Sequence, residues 1–481
     1  MSRHSRRRIL KGIGVAAAGV SLGAGRVSAS AADERFLINL TEVPRSDIPD
    51  DVDIVHDLSQ ANVLVARGDS SAVGGDMATA PDIALDLSDD TTGAVVEADG
   101  PQASRSSASH NHDGPASNSE YQWDKRVQNL SNELTDKPGN GKTVHDVATG
   151  EGTRVAVVDT GVYDGHPDLV DVVNDELSED LTGDGFDWRP NGAGNHGTHV
   201  AGTIAATNSN DGPDGGVLGT APDTEILSYR MFSGKKGFQG DGYAGWVKAA
   251  EAGCDAINYS VGFPAPYVFP EEYPLLEAEL RIAEQVASYV RSQGTVIVNS
   301  AGNDGLDMSA TDPERGEILS LPTEAEGVFG VSATGPIGFS WGDKQDDNEE
   351  KWLSGNRLEE PTTDPAFYTN YGGAVDVSAA GGDADLEALA TTPKAYNDLV
   401  FSTINTTDED GTVVPGYGWK AGTSMAAPQV AGAVALVRSL RPDATVDEVE
   451  SLIKETASMP DEGPRYHGAG HLDLEELVKR A

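Results

Sequence analysis

Beyond residue 121, short and nearly all-apolar runs alternate with longer segments of helical period, a pattern that predicts a parallel sheet covered by helices. The runs 155–158, 225–229, 256–259, 296–299 and 328–331 read as strands buried on both faces. Helices are predicted over 197–206, 242–252, 275–292, 424–440 and 446–456. Residues 34–90 differ: strands at 36–40, 62–66 and 83–87, separated by polar turns, read as a small α/β unit. Between these regions, residues 100–119 are poor in apolar and rich in small polar residues, which marks a linker.

The first residues carry another pattern. Ser5-Arg6-Arg7-Arg8-Ile9-Leu10-Lys11 precedes an Ala- and Gly-rich apolar stretch too short to span a bilayer of about 30 Å, and Ala29-Ser30-Ala31 supplies small residues for a signal peptidase. Residues 1–31 resemble a twin-arginine signal, so the protein is expected to be secreted by that route and to have no stable membrane anchor.

Composition narrows the partners. The 78 acidic residues against 34 basic ones give a formal charge of −44, which excludes nucleic acid as a partner. A compact chain so charged repels itself in dilute salt, whereas molar salt shortens the Debye length to about 3 Å. With acidic residues spread through 164–187, 343–360 and 443–476, the chain reads as adapted to high salt. Cys254, the one cysteine, allows no intramolecular disulfide and reads as a small buried hydrophobe.

Three motifs carry candidate chemistry. Arg154-Val155-Ala156-Val157-Val158-Asp159-Thr160-Gly161 sets a carboxylate at the end of a buried strand, where open α/β sheets place ligand chemistry; an Asp opening a turn reads alike. Asn195-His196-Gly197-Thr198-His199 sets two histidines at the mouth of a helix. Zinc would want a pattern such as His-Glu-x-x-His, which is absent, so one imidazole in acid–base work suits the segment better. Gly422-Thr423-Ser424-Met425-Ala426-Ala427-Pro428 precedes the apolar helical run Val430, Val434, Val437 and Leu440. Ser424 therefore belongs at a helix N-terminus, whose dipole favours negative charge, although a plain N-cap serine fits the same letters.

Together and in this order, the motifs resemble those of the subtilisin family (subtilases), and within it the secreted haloarchaeal halolysin type. The resemblance covers about Gln122 to Val478. It implies a subtilisin-like α/β peptidase domain at 120–481, a parallel sheet with helices on both faces, acting as a monomer on protein and peptide substrates. Asp159, His196 and Ser424 would be its catalytic triad, and Asn303, in Asn299-Ser300-Ala301-Gly302-Asn303-Asp304-Gly305, its oxyanion donor. Ser260, Val261 and Gly262 would bind substrate backbone by strand addition, opposite Ser300, Ala301 and Gly302. Phe263 stands where a second Gly is usual, and the insertion 264–274 follows it.

The resemblance also implies a calcium ion at Asp168, joined here by Asn208, Asn210 and Asp211 of the loop 207–214; a solvated acidic loop is the other reading. Residues 33–99 would form an inhibitory, folding-assisting pro-domain that the enzyme cuts off itself within the linker 100–119. Two rivals remain. A catalytically inactive subtilase-fold binding module needs a broken site, and every site position is filled. An α/β-hydrolase needs a Gly-x-Ser-x-Gly elbow, absent around Ser424. Asn405-Thr406-Thr407 is a glycan-acceptor triplet, which implies only exposure.

Overall fold

The computed structural model describes residues 35–74, 77–86, 121–130, 142–192, 194–208, 216–262, 275–312, 316–338, 361–391, 393–408 and 410–481. The export segment, the linker, residues 263–274, Asn210 and Asp211 lie outside them.

The first unit contains β1 (Arg35–Asn39), β2 (Asp53–Leu58), β3 (Val63–Arg67) and β4 (Thr79–Pro81), an antiparallel sheet in the order β2-β3-β1-β4. Its helical part, among the described residues, consists of three one-turn 3-10 helices. The expected strand at 83–87 appears as β5 (Ala84–Asp86), but it leaves this sheet.

The predicted parallel sheet is formed by β6 (Arg154–Asp159), β7 (Glu179–Asp180), β8 (Glu225–Arg230), β11 (Ala256–Tyr259), β12 (Val296–Ser300), β15 (Val328–Thr334) and β16 (Val377–Ala380), in the order β16-β15-β12-β11-β6-β8-β7. Every neighbouring pair is parallel. Short antiparallel pieces lie outside it: β9 (Phe232–Ser233) with β10 (Lys236–Phe238), β13 (Thr311–Asp312) with β14 (Gly316–Glu317), and a long hairpin, β17 (Val400–Thr407) with β18 (Val413–Lys420).

The helices are α1 (Trp123–Val127), α2 (His196–Ala205), α3 (Gln239–Glu251), α4 (Leu275–Ser292), α5 (Leu386–Thr391), α6 (Thr423–Leu440) and α7 (Val446–Thr456), followed by two short C-terminal ones. Side chains alternate across a strand, so β6 feeds two cores. Val155 and Val157 pack with α2 and α6, while Ala156 and Val158 pack with α3 and α4. That double burial is why the run carries no polar alternation. The first unit shares the second core: Leu37, Val63 and Val65 join α3 and α4, while Phe36, Ile38 and Leu64 face a small core of their own.

Candidate active site

β6 ends on Asp159, which is 1% exposed. The chain must then turn beneath a neighbouring loop, and Gly161 permits it: its φ is 96°, and a Cβ there would lie 2.7 Å from the Trp188 carbonyl oxygen. That loop is fixed by Arg230, the fully buried last residue of β8, whose guanidinium bonds Asp180 at 2.7 Å and Asp184 at 2.8 Å. Hydrogen bonds from Arg230 hold the Asp184 carboxyl well below the usual range.

His196 opens α2, and its Nδ1 lies 2.9 Å from both carboxylate oxygens of Asp159. The Thr160 N–H donates to Asp159 Oδ1 at 2.6 Å, and the Gly197 N–H to Thr160 Oγ1 at 2.9 Å, so strand end and helix start are laced together. His199, the motif's other imidazole, is wholly buried with Nε2 3.1 Å from the Val400 carbonyl. Burial, and then the charge of Lys420, hold His199 neutral far below its ordinary range. Only His196 of the two reaches the surface.

Ser424 lies in the first turn of α6 and is 9% exposed. Four residues on, Pro428 has no N–H to give the Ser424 carbonyl. The Ser260 hydroxyl supplies that bond instead, at 3.2 Å, and is itself held by Asn258 Nδ2 at 3.0 Å. The missing helix bond thus ties the expected substrate strand to the nucleophile's helix. In return, Ser424 Oγ donates to the Ser260 carbonyl at 3.4 Å, and no hydrogen bond joins it to His196 in this structure.

Asn303 follows β12. Its Oδ1 accepts from both the N–H and the hydroxyl of Thr423, each at 2.9 Å, which assigns the amide orientation and leaves Nδ2 as the outward donor. Asn370, which sequence reasoning did not single out, is fully buried and brackets this loop. It donates to the Ala301 carbonyl at 2.9 Å and accepts from the N–H groups of Asp304 and Leu306 at 3.0 Å. Ser300 and Ala301 are buried at the end of β12, Gly302 beside them is half-buried, and Val261 and Gly262 continue from β11.

Sequence reasoning also missed β10. It pairs antiparallel with β5, Gly237 opposite Leu85, so the first unit adds a strand to the sheet piece beside the site. The Met231 N–H bonds the Asp159 carbonyl at 2.9 Å, which fixes β9 and β10 next to the carboxylate. Leu85 and Val261 share one core.

Asp168 is completely buried, accepting from the Val217 N–H at 2.9 Å and the Tyr417 hydroxyl at 2.7 Å. Asn208 Oδ1 nearby is buried with no partner. A Cβ on Gly216 would lie 2.9 Å from Asn208 Oδ1 and 3.2 Å from each Asp168 oxygen, so the glycine keeps a small space faced by three oxygens. Among the described residues, no cluster of three or more His, Cys, Asp or Glu suits a metal, and no helix is long and apolar enough to cross a membrane.

A family model described as the Subtilase family matches residues 150–473. The extracellular protease of Xanthomonas campestris pv. campestris is 30% identical over 381 residues, covering 71% of this chain and 54% of that protein. Subtilisin BL of Lederbergia lenta is 29% identical, covering 69% of this chain and 92% of its own length. The chain spans about half the length of the first relatives it matches. A protease structure from Pseudoalteromonas arctica aligns with TM-score 0.55 at 27% identity, over 75% of this chain and 97% of that one. The epidermin leader peptide processing serine protease of Staphylococcus aureus aligns with TM-score 0.66 over 93% of this chain and 98% of that one; at 18% identity it bears on the fold alone. With its motifs, sheet order and site geometry in agreement, the chain belongs to the Subtilase family.

Proposed function

We propose that the chain is an exported serine endopeptidase that hydrolyses peptide bonds through Asp159, His196 and Ser424. The observations carrying this reading are the Asp159–His196 pair and a serine in the first turn of α6 whose neighbour Thr423 is bonded by the Asn303 amide. Ser424 Oγ attacks the carbonyl carbon as His196 Nε2 takes its proton, and the oxygen that gains the electron pair meets Asn303 Nδ2 and the Ser424 N–H. Asp159 orients the imidazole and stabilises its cation. The departing amine receives the proton from His196, and water repeats the sequence to free Ser424. A substrate strand donating its N–H to the Ser260 carbonyl takes over that acceptor and releases Ser424 Oγ toward His196.

The first unit is read as an inhibitory pro-domain. Its β5 occupies β10 as an added strand, the mode by which a peptide docks on a sheet edge, and self-cleavage within 100–119 would release it. Asp168 and Asn208 would hold a structural calcium ion, whose charge offsets the burial of the Asp168 carboxylate. The twin-arginine segment, the charge of −44 and the name of the Xanthomonas relative agree with a secreted, salt-adapted enzyme.

The test is the full chain secreted by its host, wild type against Ser424→Ala, assayed across salt for casein clearing, fluorophosphonate labelling and N-terminal processing. The wild type is expected to clear, label and lose its first unit. The variant should do none of these, with turnover down about 10⁶-fold, the size of loss that removing the nucleophile causes in subtilisin. A wild type that does not label returns the chain to the inactive-module reading, which the absent Ser424–His196 bond would then favour.

A further inference from the structure

The hairpin β17–β18 lies across the N-terminal half of α2, and one of its residues holds both sides of His196, by its side chain on one side and its main chain on the other. Asn405 is half-buried on β17. Its Oδ1 accepts from Thr198 Oγ1 at 2.8 Å, and its main-chain oxygen accepts from Asn195 Nδ2 at 3.2 Å. Those two partners stand one residue before and two residues after His196. Further along the strand, Thr403 Oγ1 donates to the Thr198 carbonyl at 2.8 Å and Ser402 Oγ to the His199 carbonyl at 3.0 Å. The approach depends on Gly202, where a Cβ would collide with the hydroxyls of Thr403 and Ser402.

At its far end β18 runs through Ala421 and Gly422 into Ser424, so one segment of chain touches the helix of the base and carries the nucleophile. We propose that Asn405 is a positioning residue for His196, clamping the start of α2 so that the imidazole meets Asp159 and Ser424 in register. This rests on His196 being the general base. It also gives the Asn405 of the triplet Asn405-Thr406-Thr407 a use other than glycan attachment.

A hydrogen bond that sets the angle of a base acts on turnover more than on binding, because misplacing a catalytic group by about 1 Å can cost up to about 10²-fold. The full-length secreted protein is compared as wild type, Asn405→Ala, Asn405→Asp and Thr407→Ala, on a peptide substrate. Asn405→Ala is expected to lower kcat by about tenfold to a hundredfold with KM within about twofold, and to move the acid limb of the kcat/KM profile to lower pH as the imidazolium loses its alignment with Asp159. Asn405→Asp keeps the accepting oxygen and should recover most of kcat. Thr407→Ala destroys the triplet while sparing the clamp and should behave as wild type.

An Asn405→Ala enzyme with wild-type kcat and pH profile overturns the proposal, as does a Thr407→Ala enzyme that fails equally, since a glycan would then be the cause. Should Asn405→Ala not accumulate, Thr198→Val removes the bond from the helix side; wild-type kcat there overturns the proposal, and a loss of kcat at constant KM supports it. A wild type that neither turns over nor labels with fluorophosphonate overturns the reading of the site itself, whereas an active, labelled wild type indifferent to Asn405 overturns only the clamp.

Discussion

Two buried clusters of charge behave very differently in this molecule. The first lies within the peptidase domain, where Asp124 and Lys125 on α1 meet Gln429 on α6. Lys125 Nζ donates to the Thr203 carbonyl at 3.0 Å, Thr220 Oγ1 at 2.9 Å and Gln429 Oε1 at 2.6 Å, and Gln429 Nε2 donates to Asp124 Oδ2 at 2.7 Å. The second lies between the first unit and α3. Arg35 bonds Asp82 and Asp241 at 2.7 Å each, His56 Nε2 lies 2.8 Å from Asp241, and the Gly240 N–H donates to Asp82 Oδ1 at 2.7 Å. A Cβ on Gly240 would fall 2.8 Å from both Asp82 and Val65, so this glycine is the seat of the first unit.

Within the first cluster one cation faces one carboxylate, and burial pulls Lys125 down to about 8 against the opposing pull of Asp124. In the second, Arg35 alone neutralises only one of two carboxylates. Burial, helped by Asp241 and opposed by Arg35, pushes Asp82 up to about 6. Both clusters carry the desolvation cost of buried ions, so neither is a large net source of stability; each specifies a geometry. One joins elements of a single domain, and the other joins that domain to the first unit, which the proposed function has leave it.

Lys125→Met is the most severe way to test that contrast. It removes the cation and strands Asp124 in the interior, and breaking a buried pair in this way costs about 3–5 kcal/mol. Denaturant or thermal unfolding should show that loss; a variant within about 1 kcal/mol of wild type would mean that the cluster does not hold α6. Asp241→Ala ranks next. It leaves Arg35 and His56 without their shared acceptor, and truncating one partner of a buried charge pair across an interface costs about 2–5 kcal/mol. The expected readout in the full chain is faster gain of peptidase activity after secretion, with the unfolding midpoint of the processed enzyme changed far less than by Lys125→Met. Maturation at the wild-type rate would erase the distinction between lock and latch.

What could be read in advance follows the same division. The run Val155–Val158 announced its strand because both faces are buried, and Asp159, His196 and Ser424 were legible because their neighbours are glycines and small residues that the close turns require. β2 stayed hidden because only Leu58 of its six residues is buried, which leaves Asp53, His56 and Asp57 looking like a turn. β5 was legible as a strand but not in its pairing, since one strand's own letters do not say which edge it joins. The hairpin was missed because Ser402, Thr403 and Asn405 carry polar contacts to α2 and form no apolar stripe. Pro428 was the overlooked clue: a proline four residues beyond the nucleophile leaves the Ser424 carbonyl free, and that vacancy is what draws in Ser260.

The smallest expected effect concerns pH, and it separates the clusters by sign. Asp82 titrates near 6 when docked, against about 3.9 for a free aspartate, so the docked state holds the proton more tightly. Docking is therefore strongest below about pH 4 and weakens as pH rises through about 6, where the carboxyl must ionise in an apolar seat beside Asp241. Activity should appear in the full chain several-fold faster at about pH 7 than at about pH 5, once each rate is divided by that of the processed enzyme at the same pH. Asp82→Asn cannot ionise and should flatten that ratio toward its acid-side value. A ratio that stays steep in Asp82→Asn would mean that Asp82 does not carry the pH dependence; a wild-type ratio that is flat would mean the Asp82 seat is not opened during release.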